Sequence, residues 1–163
     1  MATTYTLISS VTVGSGGTGT IEFSSIPATY TDLVVNLSGR CDADDFNVYL
    51  RFNSSTSNYT QRRLQGTGSA AESATDTNIL MLSTRSSYTA TTFSNGAAYI
   101  PNYAGSTNKS VSIDTVTENN ATANRNILNA GLWSDTTAIS NIKLVSATGN
   151  FVQYSTAYLY GIS

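Results

Sequence analysis

Apolar residues recur at every second position of this chain, and that period decides its fold class. The clearest run is Phe46, Val48, Leu50 and Phe52, interleaved with Asn47, Tyr49 and Arg51. A period of two places alternate side chains on opposite faces of an extended strand, one face buried and the other wet. Similar short runs lie at Thr4–Val13, Thr20–Ser24, Leu33–Gly39, Tyr59–Leu64 and Ile79–Ser83. Others follow at Ala97–Ile100, Lys109–Thr117, Asn126–Trp133, Ile139–Val145 and Tyr154–Ile162. Thr, Val, Ile, Tyr and Phe fill them, and such stiff or bulky side chains suit a pleated surface. Turn-forming clusters separate them, among them Gly14–Gly19, Asn53–Asn58, Gly66–Ser69 and Asn102–Asn108. Strand and helix do not alternate, and the best helix candidate is one or two turns at Ala70–Asp76. The chain therefore reads as one all-β domain over residues 1–163, a two-sheet antiparallel β-sandwich of jelly-roll-like form.

Composition narrows the chemistry. The 163 residues include no His and a single Cys, Cys41. This excludes His-based nucleophile pairs, internal disulfides and Cys-cluster zinc sites. Charged residues make up 11%, against about 25% in an ordinary soluble domain. Small neutral side chains supply the polarity instead: 23 Ser, 25 Thr and 15 Asn. With a net charge of −2, nothing points to nucleic acid, and no apolar run approaches the ~20 residues of a membrane span. The opening Met-Ala-Thr-Thr-Tyr has no signal-peptide layout, so synthesis in a cytoplasm is expected.

Each motif has a plain reading beside its chemical one. Gly14, Gly16 and Gly19 match G-x-G-x-x-G, but a strand follows where a dinucleotide site needs a helix, so a glycine hairpin loop is expected. Asp42, Asp44 and Asp45 could hold a cation, yet Phe46 stands where the calcium loop needs an oxygen ligand. Arg62 and Arg63 fall on opposite faces of their strand, so one of them can reach a carboxylate. Cys41 reads as a small buried residue. No catalytic, cofactor or metal site is expected. The last strand is apolar on both faces, with Tyr154, Tyr158, Tyr160 and Ile162 on one alternation and Ala157, Leu159 and Gly161 on the other. Such a strand is either central in a sheet or covered by another subunit.

Four segments carry a family likeness: Thr3-Tyr-Thr-Leu-Ile-Ser-Ser-Val-Thr-Val13, Ser25-Ile-Pro-Ala-Thr-Tyr-Thr-Asp-Leu33, Ile100-Pro-Asn-Tyr-Ala-Gly-Ser-Thr-Asn-Lys109 and Phe151-Val-Gln-Tyr-Ser-Thr-Ala-Tyr-Leu-Tyr-Gly-Ile162. Together they resemble a family of small structural proteins of tailed bacteriophages, cyanophages among them. The resemblance implies a virion protein without catalytic residues. It leaves open a capsid decoration or cement protein, often trimeric, and a tail- or head-fibre module touching host-surface glycan. The compact single domain and low charge favour decoration. The expected partners are the chain itself, as a homo-oligomer and preferentially a trimer, and the major capsid protein. The expected location is the virion. Residues 1–13 could serve as an arm or a strand exchanged with neighbours. Trp133, which also reads as core or sheet-end packing, is an expected contact residue, as are Phe151, Tyr154, Tyr158 and Tyr160.

Overall fold

A computed structural model describes residues 4–120 and 123–163. Twelve strands follow in chain order: β1 Tyr5–Thr12, β2 Thr20–Phe23, β3 Asp32–Ser38, β4 Asn47–Phe52, β5 Tyr59–Gly66, β6 Ala71–Asp76, β7 Ile79–Leu82, β8 Asn95–Pro101, β9 Lys109–Glu118, β10 Asn124–Trp133, β11 Ile142–Ser146 and β12 Thr156–Ile162. They form an eight-stranded sheet in the order β1-β12-β3-β8-β9-β10-β5-β6 and a four-stranded sheet in the order β2-β11-β4-β7. All pairings among these strands are antiparallel. The all-β sandwich expected from the period of two is what the chain forms.

The pairing is nested. β1 joins β12, β2 joins β11, β3 joins β8 and β4 joins β7. A long antiparallel ribbon wound over itself gives this order, which is the jelly roll. The remaining strands are two hairpins, β5–β6 inserted between β4 and β7, and β9–β10 inserted between β8 and β11. They pair with each other through β10 and β5 and join the larger sheet through β8 and β9. The hairpins thus double a four-stranded sheet without interrupting the roll.

Alternation aims one face of every strand into a common core. Phe46's neighbours Val48, Leu50 and Phe52 of β4 are buried, and so are Leu33, Val35 and Leu37 of β3. Trp133 lies fully inside, its ring 5.6 Å from Phe52 and stacked at 6.1 Å on Tyr59. The Tyr59 hydroxyl accepts a 2.8 Å hydrogen bond from the Phe52 amide, so the aromatic triad also ties β4 to β5. Where β7 packs on the larger sheet, the Ile79 side chain fills the space above Gly131: a Cβ there would sit 3.0 Å from it. The β7–β8 connection is held by Arg40, whose guanidinium donates to the carbonyls of Ser86, Tyr88, Thr89 and Thr92.

Three expectations need correction. Ala70–Asp76 contains a strand rather than a helix, because the turn at Thr67–Ala70 returns the chain onto β5 and the hairpin satisfies its backbone. Six residues are too few for a stable helix of their own. The Gly14–Gly19 segment is not a hairpin loop: β1 and β2 lie in different sheets, and the glycines turn the corner between them. Tyr154 stands outside the last strand, in a turn at φ 72°. Of the N-terminal arm, residues 1–3 lie outside the described residues, and Tyr5–Thr12 pairs with β12 of the same chain as an edge strand.

Removing the indole tests the core. Trp133→Ala is expected to destabilise the fold by about 3–5 kcal/mol. Chemical denaturation of the two proteins measures it, and a loss below about 1 kcal/mol would place Trp133 outside the core.

Candidate functional site

The inner face of the larger sheet is spoken for, so the candidate site is its outer face. Register settles which residues share it. One row runs straight across seven strands and onto the eighth: Leu7, Tyr160, Val34, Tyr99, Ser112, Ala130, Arg62 and Thr75, each opposite the next. A parallel row carries Tyr158, Asn36, Ala97, Asp114, Leu128 and Leu64.

The large apolar side chains exposed in the described residues are Tyr5, Leu7, Leu64, Tyr99, Val116, Leu128, Leu132, Tyr154 and Tyr158. All but Tyr154 project from this one face. Six of these gather at its two ends, and Tyr99 and Val116 stand between them on β8 and β9. At the β1–β12 end, Tyr5 meets Tyr160 edge-on at 6.3 Å and Tyr160 stacks on Tyr158 at 6.4 Å. At the β10–β5 end, Leu128 and Leu64 stand directly opposite each other, 57% and 58% exposed. Between the ends, Tyr99 and Val116 apart, most outward side chains are small. Tyr99, Pro101, Ser110, Ser112 and Ala130 line one shallow groove there, and Arg62, Leu64, Ser112, Leu128 and Ala130 line another.

Charge on the face is sparse. Asp32 accepts hydrogen bonds from the Tyr99 hydroxyl at 2.6 Å and the Asn102 amide at 2.8 Å. That carboxylate, as acceptor and as a neighbouring negative charge, raises the Tyr99 pKa. Arg62 projects outward from β5 while Arg63 points inward to Asp76, 4.0 Å away. The opposite-face expectation for the two arginines thus holds, and Arg63 is the one that reaches a carboxylate.

The expected contact residues divide. Tyr158 and Tyr160 lie on the outer face, and Tyr154 is exposed in its turn. Trp133 and Phe151 do not reach the surface, which corrects their assignment as contact residues. Trp133 fills the core beside Phe52 and Tyr59, and Phe151 is buried where its backbone bridges Thr18 and Cys41. Leu64, Leu128, Leu132, Tyr99, Tyr5 and Leu7 were not anticipated. Their outward phase is visible in the alternation, but their gathering on one face depends on which strands become neighbours.

The acidic cluster is dispersed into local bonds. Asp42 accepts from the Asn150 amide at 2.7 Å, Asp45 from the Asn47 amide at 2.9 Å, and Asp44 pairs with Arg85 at 3.4 Å. Among the described residues, no three His, Cys, Asp or Glu side chains are placed to share a metal ion. Lys109 is buried and donates to the Gly105 and Thr107 carbonyls; burial lowers its pKa. Cys41 is buried between Ser83 and Ser146, 3.1 and 3.2 Å away, and burial pushes its thiol pKa up. Compared with protein-family models, curated proteins and solved structures, the chain matches none.

A raised pKa and burial both suppress thiolate chemistry. Cys41 is expected to resist a thiol-specific reagent in the folded protein at mildly alkaline pH and to react fully in denaturant. Comparable labelling rates in the two states would contradict this placement.

Proposed function

We propose that the chain is a structural virion protein of a tailed bacteriophage, a capsid decoration protein that stabilises the shell by burying surface against its neighbours. The observation that carries this reading is the outer face of the eight-stranded sheet, which gathers eight of the nine large apolar residues exposed among the described residues. A sheet of eight strands about 4.8 Å apart, each about 23 Å long, offers a face of about 800 Å². That is close to one partner's share of a standard protein–protein interface. Large apolar side chains gathered on one exposed face, rather than scattered singly, mark an interaction site.

The resemblance to phage structural proteins supplies the setting. The jelly roll is compatible with it, being common to viral capsid and lectin domains, but a fold alone assigns no role. Mechanistically, a protein that binds the assembled shell and not its free subunits adds its binding free energy to shell stability by mass action. Repetition over the shell multiplies modest contacts into a durable one. The partners are further copies of the chain and the major capsid protein, and the site of action is the virion, after synthesis in the host cytoplasm. The low charge fits a surface destined to be covered, and the Ser, Thr and Asn content keeps the free protein in solution.

Purified particles test the reading. Tens to hundreds of copies per virion, with label from a specific antibody spread over the head, are expected. A few copies confined to the tail tip would overturn decoration in favour of a fibre module, with the Tyr5–Tyr160–Tyr158 ladder as the surface offered to host glycan.

A further inference from the structure

We infer that the surface seated on the outer face brings a basic side chain to Asp114, with the aliphatic stem of that side chain laid against Leu64 and Leu128. The inference rests on reading this face as the contact with the shell, and it names the chemistry that the capsid subunit presents there.

Asp114 occupies the middle of the face. β9 is the fifth of eight strands, and Asp114 is the sixth of its ten residues. Across the sheet it stands between Ala97 and Leu128, and Leu64 follows Leu128 in the same row. None of those three side chains can donate a hydrogen bond. The other carboxylates of the face lie at strand ends and have donors. Asp32 opens β3 and accepts from the Tyr99 hydroxyl and the Asn102 amide, and Glu118 closes β9 and accepts from the Asn120 amide. Arg62, the one cationic side chain on the outer face of these strands among the described residues, turns to the Gln61 carbonyl at 3.0 Å. Among the described residues Asp114 has neither a hydrogen-bond nor an ion-pair partner.

A groove beside Asp114 suits a long side chain. Leu64, Gly66, Ala71, Asn126 and Leu128 line it together with Asp114. The row Leu128–Leu64 borders the row Asn126–Gly66–Ala71, so two exposed leucines flank two positions with little or no side chain. A Cβ at Gly66 would meet nothing within 4 Å, which leaves the groove open above that strand.

Covering the face turns these features into a requirement on the partner. In the free chain, water solvates the carboxylate. A purely apolar surface laid on the leucines would strip that water and bury an ionised group without a counter-charge, which is strongly unfavourable. A basic side chain meets both needs: its methylenes cover Leu64 and Leu128 while its charged head reaches Asp114. Arginine fits best, because its guanidinium is weakly hydrated and has donors for both Asp114 and the Asn126 amide oxygen. The carboxylate thus selects against partners that offer apolar surface alone.

Phage heads stripped of this chain and mixed with the purified protein make the test, with co-sedimentation as the readout. The native chain is expected to bind. Asp114→Asn is expected to bind about 30-fold more weakly or worse, because it leaves the partner's cation unpaired. Asp114→Leu is expected to lose at least as much, although it enlarges the apolar surface. Gly66→Phe, which fills the groove, is expected to lose binding as well. All three substitutions point outward, so circular dichroism is expected to match the native chain. Native-strength binding by Asp114→Asn, or tighter binding by Asp114→Leu or Gly66→Phe, would overturn the inference and leave decoration standing through apolar contact alone. Free chains that associate through this face, with Asp114→Asn returning them to one chain mass, would give the face to another copy and overturn it too. A native chain that binds no head would remove the decoration reading, and this inference with it.

Discussion

The free edge of β7 is the constraint on which the architecture turns. β7 is the last strand of the smaller sheet, and its outward backbone groups have no further strand to pair with. They are satisfied by side chains of the larger sheet and by Ser94, just before β8. The Leu80 amide donates to Gln61 at 2.9 Å, and Asn129 donates to the Leu80 carbonyl at 2.6 Å. The Leu82 amide donates to Thr115 at 3.3 Å, and the Leu82 carbonyl accepts from Ser94 at 2.8 Å. Each of these four side chains is buried. An unpaired buried backbone group costs about 1–3 kcal/mol, so the edge could not be covered by apolar residues alone.

This arrangement explains why the two inserted hairpins lie where they do. Gln61 comes from β5, Thr115 from β9 and Asn129 from β10, so each contributes a polar side chain at the depth of β7. The hairpins extend the larger sheet over an edge that a bare jelly roll would leave open to pairing with other chains. Their inward positions are thereby committed to β7 and to the Trp133 cluster. Their outward positions face solvent, and these include Leu64, Leu128 and Leu132. A sheet widened to protect an edge thus becomes a sheet with a broad outer face, which is the surface on which the functional account rests.

Legibility in the sequence followed the range of the interactions. Phe46 to Phe52 alternates cleanly because β4 is buried on one side only, and burial is recorded in the residues themselves. The two-sided apolar character of Tyr154–Ile162 left a central strand and a covered one both open; β12 lies between β1 and β3, with Tyr158 exposed on its outer face. Ala70–Asp76 was opaque because its small polar residues favour no period; only its turn back to β5 makes it a strand. Trp133 and Phe151 looked like surface anchors because large aromatics at strand ends suit contacts as well as cores, and local sequence does not separate the two. The outer face was hidden for a stronger reason. Leu64 and Leu128 are 64 positions apart, and they become opposite only because β5 pairs with β10 across two separate insertions.

Side-chain oxidation by hydroxyl radicals in intact particles tests the central claim most directly, because the fold supplies its own control. Tyr154 is 69% exposed and lies off the outer face, whereas Tyr5 is 60% exposed and lies on it. If the outer face is covered in the working assembly, Tyr5, Leu64 and Leu128 will be protected in particles relative to the dissociated chain. Tyr154 then keeps more of its reactivity than they do. Equal oxidation of Tyr5, Leu64, Leu128 and Tyr154 in particles, at the rates of the dissociated chain, would mean that the face stays open to solvent, and the account would be wrong.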